Sequence, residues 1–429
     1  MTFLEQIKND FNLYAAQATE DSFSDLRKNA FATFEKLGVP TTQLEEWKYS
    51  NLRSVQQGNF TTSCVSNLDA DALIKAGILN KIIANKLVFV NGCLFPELSI
   101  WLETDERIVV SSLAQARKEH PATFEAHFGK YINFSEEGLL ALNTALMSDG
   151  AFVFVPEGAA MQHPLMITNI TDANEHSVFQ QPRNLIIIEK NASATVIENY
   201  MAVGVHASFT NVVNEIFVGE NGQLEHYKVQ RAAGETYHAN YTQLHQLANT
   251  NINQVTLTLD GKWVRNNLHF FMNGQNCNSL LYGLYIPDGN QFVDNHSRVD
   301  HAKPNCFSDE KYKGILKDDA VAVFNGKIVV HEDAQKTNAY QRNQNILLSN
   351  TATINTKPQL EIFADDVKCT HGATIGQLDE EPMFYLRSRG ISEQEARRLL
   401  LNAFADDIAE KIKIPQLVAI LESEIDRKL

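Results

Sequence analysis

In KCTHGATIG, residues Lys368 to Gly376, a thiol and an imidazole stand two positions apart and glycine follows at once. If the stretch is a strand, alternation puts Cys369 and His371 on one face and Lys368 and Thr370 on the other. Thiolate and imidazole together favour iron or zinc over magnesium or calcium. Two such groups supply at most half of a tetrahedral site, so a ligand pair, a catalytic pair and two residues that merely share a face all fit the spacing. His296, His301 and Cys306, in FVDNHSRVDHAKPNC, form a second soft-ligand grouping, for which burial or ordinary hydrogen bonding is the simpler reading. Asp365 and Asp366 are adjacent, and neighbours on a strand face opposite ways, which disfavours a paired-carboxylate mechanism.

Other chemistries are excluded by what the chain lacks. Gly326-Lys327 is followed by isoleucine and Gly129-Lys130 by tyrosine, so neither completes a phosphate-binding loop, and no nucleotide hydrolysis is expected. Neither G-x-S-x-G nor H-E-x-x-H occurs. The net charge of −15 disfavours nucleic acid or an anionic membrane as the main partner. The opening MTFLEQIKNDFNLY lacks a basic flank with an apolar run, and no stretch of about 18 apolar residues occurs, so a cytoplasmic protein is expected. Cys64, Cys93, Cys277, Cys306 and Cys369 are scattered, and reduced thiols are expected.

The elements that must position these residues fall into three stretches. Residues 1–150 read as mainly helical with short strands: Phe11, Tyr14, Phe23, Leu26, Phe31 and Phe34 recur at helical spacing, and KLVFV and RIVV read as strands. Thr42 with Glu45 has capping-box spacing ahead of Trp47, and Ser135 is placed to begin an amphipathic helix. With a chain of 429 residues, 44% of them apolar, a sizeable core is available. Residues 151–378 form a β region of short β-branched runs separated by pairs such as Asn221-Gly222, Asp260-Gly261, Asn273-Gly274, Asp288-Gly289 and Asn325-Gly326. Such pairs usually signal hairpins in a sandwich or barrel, but stacked coils fit as well. Residues 379–429 return to helix: Asp379 and Ser392 are placed as caps, Gly390 as a C-cap and Pro415 as a helix start. The apolar stripes of these helices suit either the chain's own core or a docked partner.

FVDNHSRVDHAKPN, AVFNGKIVVHEDAQKTNAYQRNQNILLS, KPQLEIFADDVKCTHGATIGQLDEE and FYLRSRGISEQEAR closely resemble the core of the SufB/SufD iron-sulfur cluster assembly family, and LEEWKYSNL resembles the amino-terminal element of its SufD branch. Gly372, where the SufB branch usually carries a glutamate, and the low cysteine count favour the SufD branch. The resemblance implies a right-handed parallel β-helix flanked by helical domains, working with a SufB-like subunit and a SufC-like ATPase as a scaffold that builds clusters and passes them to apo-proteins or carriers. It implies no tightly bound cofactor in the isolated chain and a transient Fe-S cluster in the complex. Carried over by position, His371 matches a histidine implicated in cluster formation at the subunit interface, and Cys369 a frequent cysteine there. The docking segment for the ATPase carries Phe384, Tyr385, Arg387 and Arg389. The isolated chain is expected to form a homodimer through the end of its β-helix. Two other readings stand beside this one: a purely structural scaffold with Cys369 and His371 inert, and a β-helix carbohydrate enzyme, against which the missing paired acids speak.

Overall fold

The computed structural model describes residues 3–17, 22–62, 66 and 82–428. From Ser193–Gly204 onward, each successive strand goes to the opposite sheet from the one before it, and within a sheet neighbouring rungs pair in parallel. The result is a parallel β-solenoid of about eight turns with helices on its flanks. The first sheet ends on Val367–Gly376 and the second on Thr353–Ile362, each with a neighbour on one side only.

A ladder of corner residues explains why the turn pairs make coils rather than hairpins. Asn191, Asn221, Asn249, Asn276 and Asn305 hold φ between +56° and +60°, a left-handed conformation that asparagine tolerates better than most residues. Each stacks on its counterpart one coil along. The Asn191 amide donates to Glu220, that of Asn221 to Ala248, that of Asn249 to Gln275 and that of Asn276 to Pro304. Side chains join the same ladder, with Asn221 Nδ2 donating to Asn191 Oδ1 at 2.8 Å. Asn325-Gly326, expected to turn, lies inside the strand Val321–Val330. A Cβ at Gly326 would sit 2.4 Å from Gln341 Nε2, so glycine is there to admit a neighbouring side chain.

One apolar cluster fills part of the solenoid interior, drawing Ile186, Ile216, Leu244 and Phe270 from the second sheet and Val196, Leu224 and Ile252 from the first. The expected helices Phe3–Gln17 and Ser22–Leu37 pack with Trp47 and Phe60 against Phe179, Phe209 and Trp263 of the second sheet. Asn85–Val90, also from the amino-terminal part, pairs in parallel with Leu165–Ala173 and lengthens the first sheet. On the outer face of that sheet, Leu401, Ile408, Leu417 and Leu421 of helices Glu393–Ala409 and Pro415–Lys428 cover Tyr227, Val255 and Leu284.

Local signals held unevenly. Asp379 and Ser392 cap their helices as expected, and Gly390 takes φ +87°. The Thr42–Glu45 capping box does not form: Glu45–Trp47 is a short 3-10 turn without a side-chain cap. The helix expected from Ser135 begins at Gly138, because the Glu137 carboxylate accepts the Leu139 N–H and takes the capping role. Asp365 and Asp366 lie in a bend between strands rather than on one. Cys277, Cys306 and Cys369 are free thiols, whereas Cys93 is disulfide-bonded, a departure from the expectation of reduced thiols; Cys64 lies outside the described residues. No helix among the described residues is long and apolar enough to cross a membrane.

Candidate functional site

Parallel register places Cys369 over Ala339 and Ser308, and His371 over Gln341 and Glu310. Those four supporting residues are wholly buried. Alternation therefore turns both Cys369 and His371 toward the solenoid interior. They sit on its last rung, where no further coil covers them. Cys369 is half-buried against the edge of the interior apolar cluster, and His371 is exposed. Burial pushes the Cys369 thiol up, against a smaller opposing effect of the Ala339 backbone, so near neutral pH the group is a thiol until another charge approaches.

The surrounding rung has the features of an unfinished surface. Its two terminal strands present unpaired backbone edges, and Ile362, Phe363 and Ile375 are 41%, 64% and 51% exposed beside them. A Cβ at Gly372 would meet nothing within 4 Å. No group of three or more His, Cys, Asp or Glu side chains disposed to hold a metal occurs among the described residues. Cys369 and His371 thus offer ligands without completing a set.

The second soft-ligand grouping is dispersed. His296 lies on the outer side, between Asp294 at 3.0 Å and Glu46 at 3.3 Å. His301 faces inward and bonds Ser308 at 2.9 Å. Cys306 is buried with its Sγ 3.3 Å from the Gly274 carbonyl.

LEEWKYSNL is the strap that closes the flank beside the terminal face. Trp47, 1% exposed, stacks on Trp263 and carries the Arg265 guanidinium 3.9 Å above its ring. Arg265 pairs with Asp294 at 2.5 Å, and Ser50 bonds the same carboxylate. Between this strap and the second sheet lies a cavity of about 800 Å³ whose wall includes His296, Lys357 and Ile375.

The helix Glu380–Ser388 has no buried residue. Phe384 and Tyr385 are 74% and 56% exposed, Arg389 stacks on Tyr385 at 5.3 Å, and Arg387 lies 3.6 Å from Glu393. The two readings of the carboxy-terminal helices therefore divide: the last two helices pack on the solenoid, and this one presents aromatic and arginine side chains to solvent. Residues missed from the sequence are Glu310 and Gln341 beneath His371 and the apolar rim of Ile362, Phe363 and Ile375. The signal that could have found the first two is the recurrence of Glu310, Gln341 and His371 at the spacing of one coil.

Residues 169–404 match the family model described as SUF system FeS cluster assembly, SufBD core domain, and residues 4–167 match the SufBD protein N-terminal region. The chain belongs to the SufBD family. It is 34% identical over 408 residues to an iron-sulfur cluster assembly SufBD family protein of Synechocystis, covering 93% of this chain and 90% of the relative. It is 32% identical over 398 residues to the iron-sulfur cluster assembly protein SufD of Escherichia coli, covering 92% and 90%. The SufB of Bacillus subtilis is 25% identical over 312 residues, covering 72% and 67%, so similarity to SufD runs along more of the chain. Within this SufBD frame the matched core takes in the terminal rung and the exposed helix, since residues 169–404 include both.

Proposed function

We propose that this chain is a SufD-type scaffold subunit that joins a SufB-like subunit and a SufC-like ATPase, on which an Fe-S cluster is built and then passed to apo-proteins or carriers. Support comes chiefly from one observation: the solenoid ends on an uncapped rung where inward-facing Cys369 and His371 lie open between two unpaired strand edges. A second solenoid docked on that rung satisfies the edges, covers Ile362, Phe363 and Ile375, and brings further ligands to the half-set. A site divided between two chains suits a cargo that must leave, because separating the chains lowers the number of ligands holding it. No catalytic step is assigned to this chain, and nucleotide hydrolysis belongs to the partner that docks on Phe384, Tyr385, Arg387 and Arg389.

The test reconstitutes the three-component complex anaerobically with His371→Ala and, separately, Cys369→Ala, measuring bound iron and sulfide beside the melting temperature. Loss of most of the iron and sulfide in the histidine variant at unchanged melting is the expected result. Wild-type cluster content in the histidine variant would leave the terminal rung a purely structural contact and overturn the shared-site reading.

A further inference from the structure

Beneath the exposed imidazole of His371 the column continues into the solenoid as Gln341 and Glu310, both wholly buried. Rungs lie about 4.8 Å apart. Gln341 Nε2 donates to Glu310 Oε2 at 2.8 Å, which turns the amide nitrogen into the protein. Gln341 Oε1 is buried and has no hydrogen-bond partner among the described residues. Leaving a buried carbonyl oxygen unsatisfied costs about 1–3 kcal/mol, so a donor that reaches it gains what that group otherwise loses. His371, next in the column, is the neighbouring rung's candidate donor.

The amide's position is enforced from the opposite sheet as well. The second sheet brings Gly326 against it, and an added Cβ there would stand 2.4 Å from Gln341 Nε2 and 2.9 Å from its Cδ. Space for the amide therefore depends on a glycine in the middle of a strand, where glycine otherwise weakens the structure.

Resting on the shared-site reading of His371, we propose that Gln341 and Glu310 are positioning residues. Glu310 holds the Gln341 amide with its oxygen toward the open end of the solenoid. When a partner covers the terminal rung and presses the imidazole inward, that oxygen accepts one ring N–H of His371. The other ring nitrogen is then left unprotonated and faces the shared site. A ligating imidazole is oriented and fixed in one tautomer by the hydrogen bond its second nitrogen makes, and loss of such a partner costs roughly 10–100-fold in affinity or activity. Burial raises the Glu310 carboxyl to about 7, against donation from Gln341, so an acceptor at this depth is retained at a cost in stability.

The experiment compares Gln341→Leu, Gly326→Ala, Glu310→Leu and Glu310→Gln in the reconstituted complex, with His371→Ala in parallel. It reads the rate of cluster assembly, the melting temperature and the ¹⁵N shifts of the His371 ring. We expect assembly to slow about tenfold or more in the first three, with His371 moving from one tautomer to a mixture. Glu310→Gln should restore both, since a glutamine oxygen still accepts from Gln341. Melting of Glu310→Leu should change little, because removing a buried carboxyl and stranding the Gln341 amide N–H act in opposite directions. Wild-type assembly and an unchanged His371 signal in Gln341→Leu would overturn the proposal while leaving the shared site intact. If His371→Ala itself assembles normally, the shared-site reading fails, and the ring-nitrogen shifts alone then decide whether the positioning contact exists.

Discussion

Trp47→Ala should release the strap that runs across the flank of the solenoid. The side chain is almost wholly buried, stacks on Trp263, lies under the Arg265 guanidinium and donates its indole N–H to Glu137 at 3.1 Å. Truncating a buried tryptophan costs about 3–5 kcal/mol, and the ring-to-guanidinium contact and the bond to Glu137 are already part of that difference rather than additions to it. About 4 kcal/mol is the working figure. Glu137, which burial already raises, also loses a donor that opposes that rise. The amides of Trp47, Lys48 and Ser50 are bonded within the strap, to Leu44, Glu45 and Trp47, so they report its opening. A loss of 4 kcal/mol speeds their hydrogen exchange about a thousandfold, or up to the unprotected rate, while amides in the strands Trp263–Met272 and Phe292–His301 change little. Trp47→Phe keeps a ring beneath Arg265 and should fall well short of that. Exchange in Trp47→Ala within threefold of wild type at all three amides would refute the claim that this tryptophan holds the strap.

Glu215→Gln should destabilise the fold by about 3–5 kcal/mol in urea unfolding, because it leaves Arg183, wholly buried and 2.5 Å from Glu215, without its charge partner; Arg183→Met with Glu215→Leu should recover most of the loss. Burial holds His238 at about 3 and His301 at about 4, below an unfolded value of about 6.5. The unfolded chain therefore binds protons that the fold refuses, and stability should fall as pH drops from about 6.5 toward 4 by up to about 1.4 kcal/mol per unit for each histidine. Glu310 works in the opposite sense between its unfolded value and about 7, and a slope that does not flatten in His238→Gln with His301→Gln would count against this assignment. Arg387→Glu with Arg389→Glu should abolish capture of a SufC-like ATPase without changing melting, since Arg387 lies on a helix with no buried residue and Arg389, at its C-cap, is exposed. The isolated chain should scatter light as a dimer, and Ile375→Lys should return it to a monomer; a monomeric wild type at micromolar concentration would deny the terminal rung its pairing role.

What was legible in the sequence follows from short-range physics. The helices Phe3–Gln17 and Ser22–Leu37, the caps Asp379 and Ser392 and the break at Gly390 each depend on residues within a turn or two of one another. Strand alternation also puts Cys369 and His371 on one face, and resemblance to a family supplies the β-helix. Local reading failed where a distant element set the outcome. Ser135 lost its capping role to Glu137, and Asn325-Gly326 lies mid-strand, paired with the strands on both sides, its glycine leaving the space that Gln341 fills. His296, His301 and Cys306 look like a cluster in sequence and lie on different sides of a sheet wall. Only stacking decided that Cys369 and His371 face inward yet remain open. Facing is fixed by the two-residue period of a strand, but exposure is fixed by whether another coil follows, and among the described residues none does.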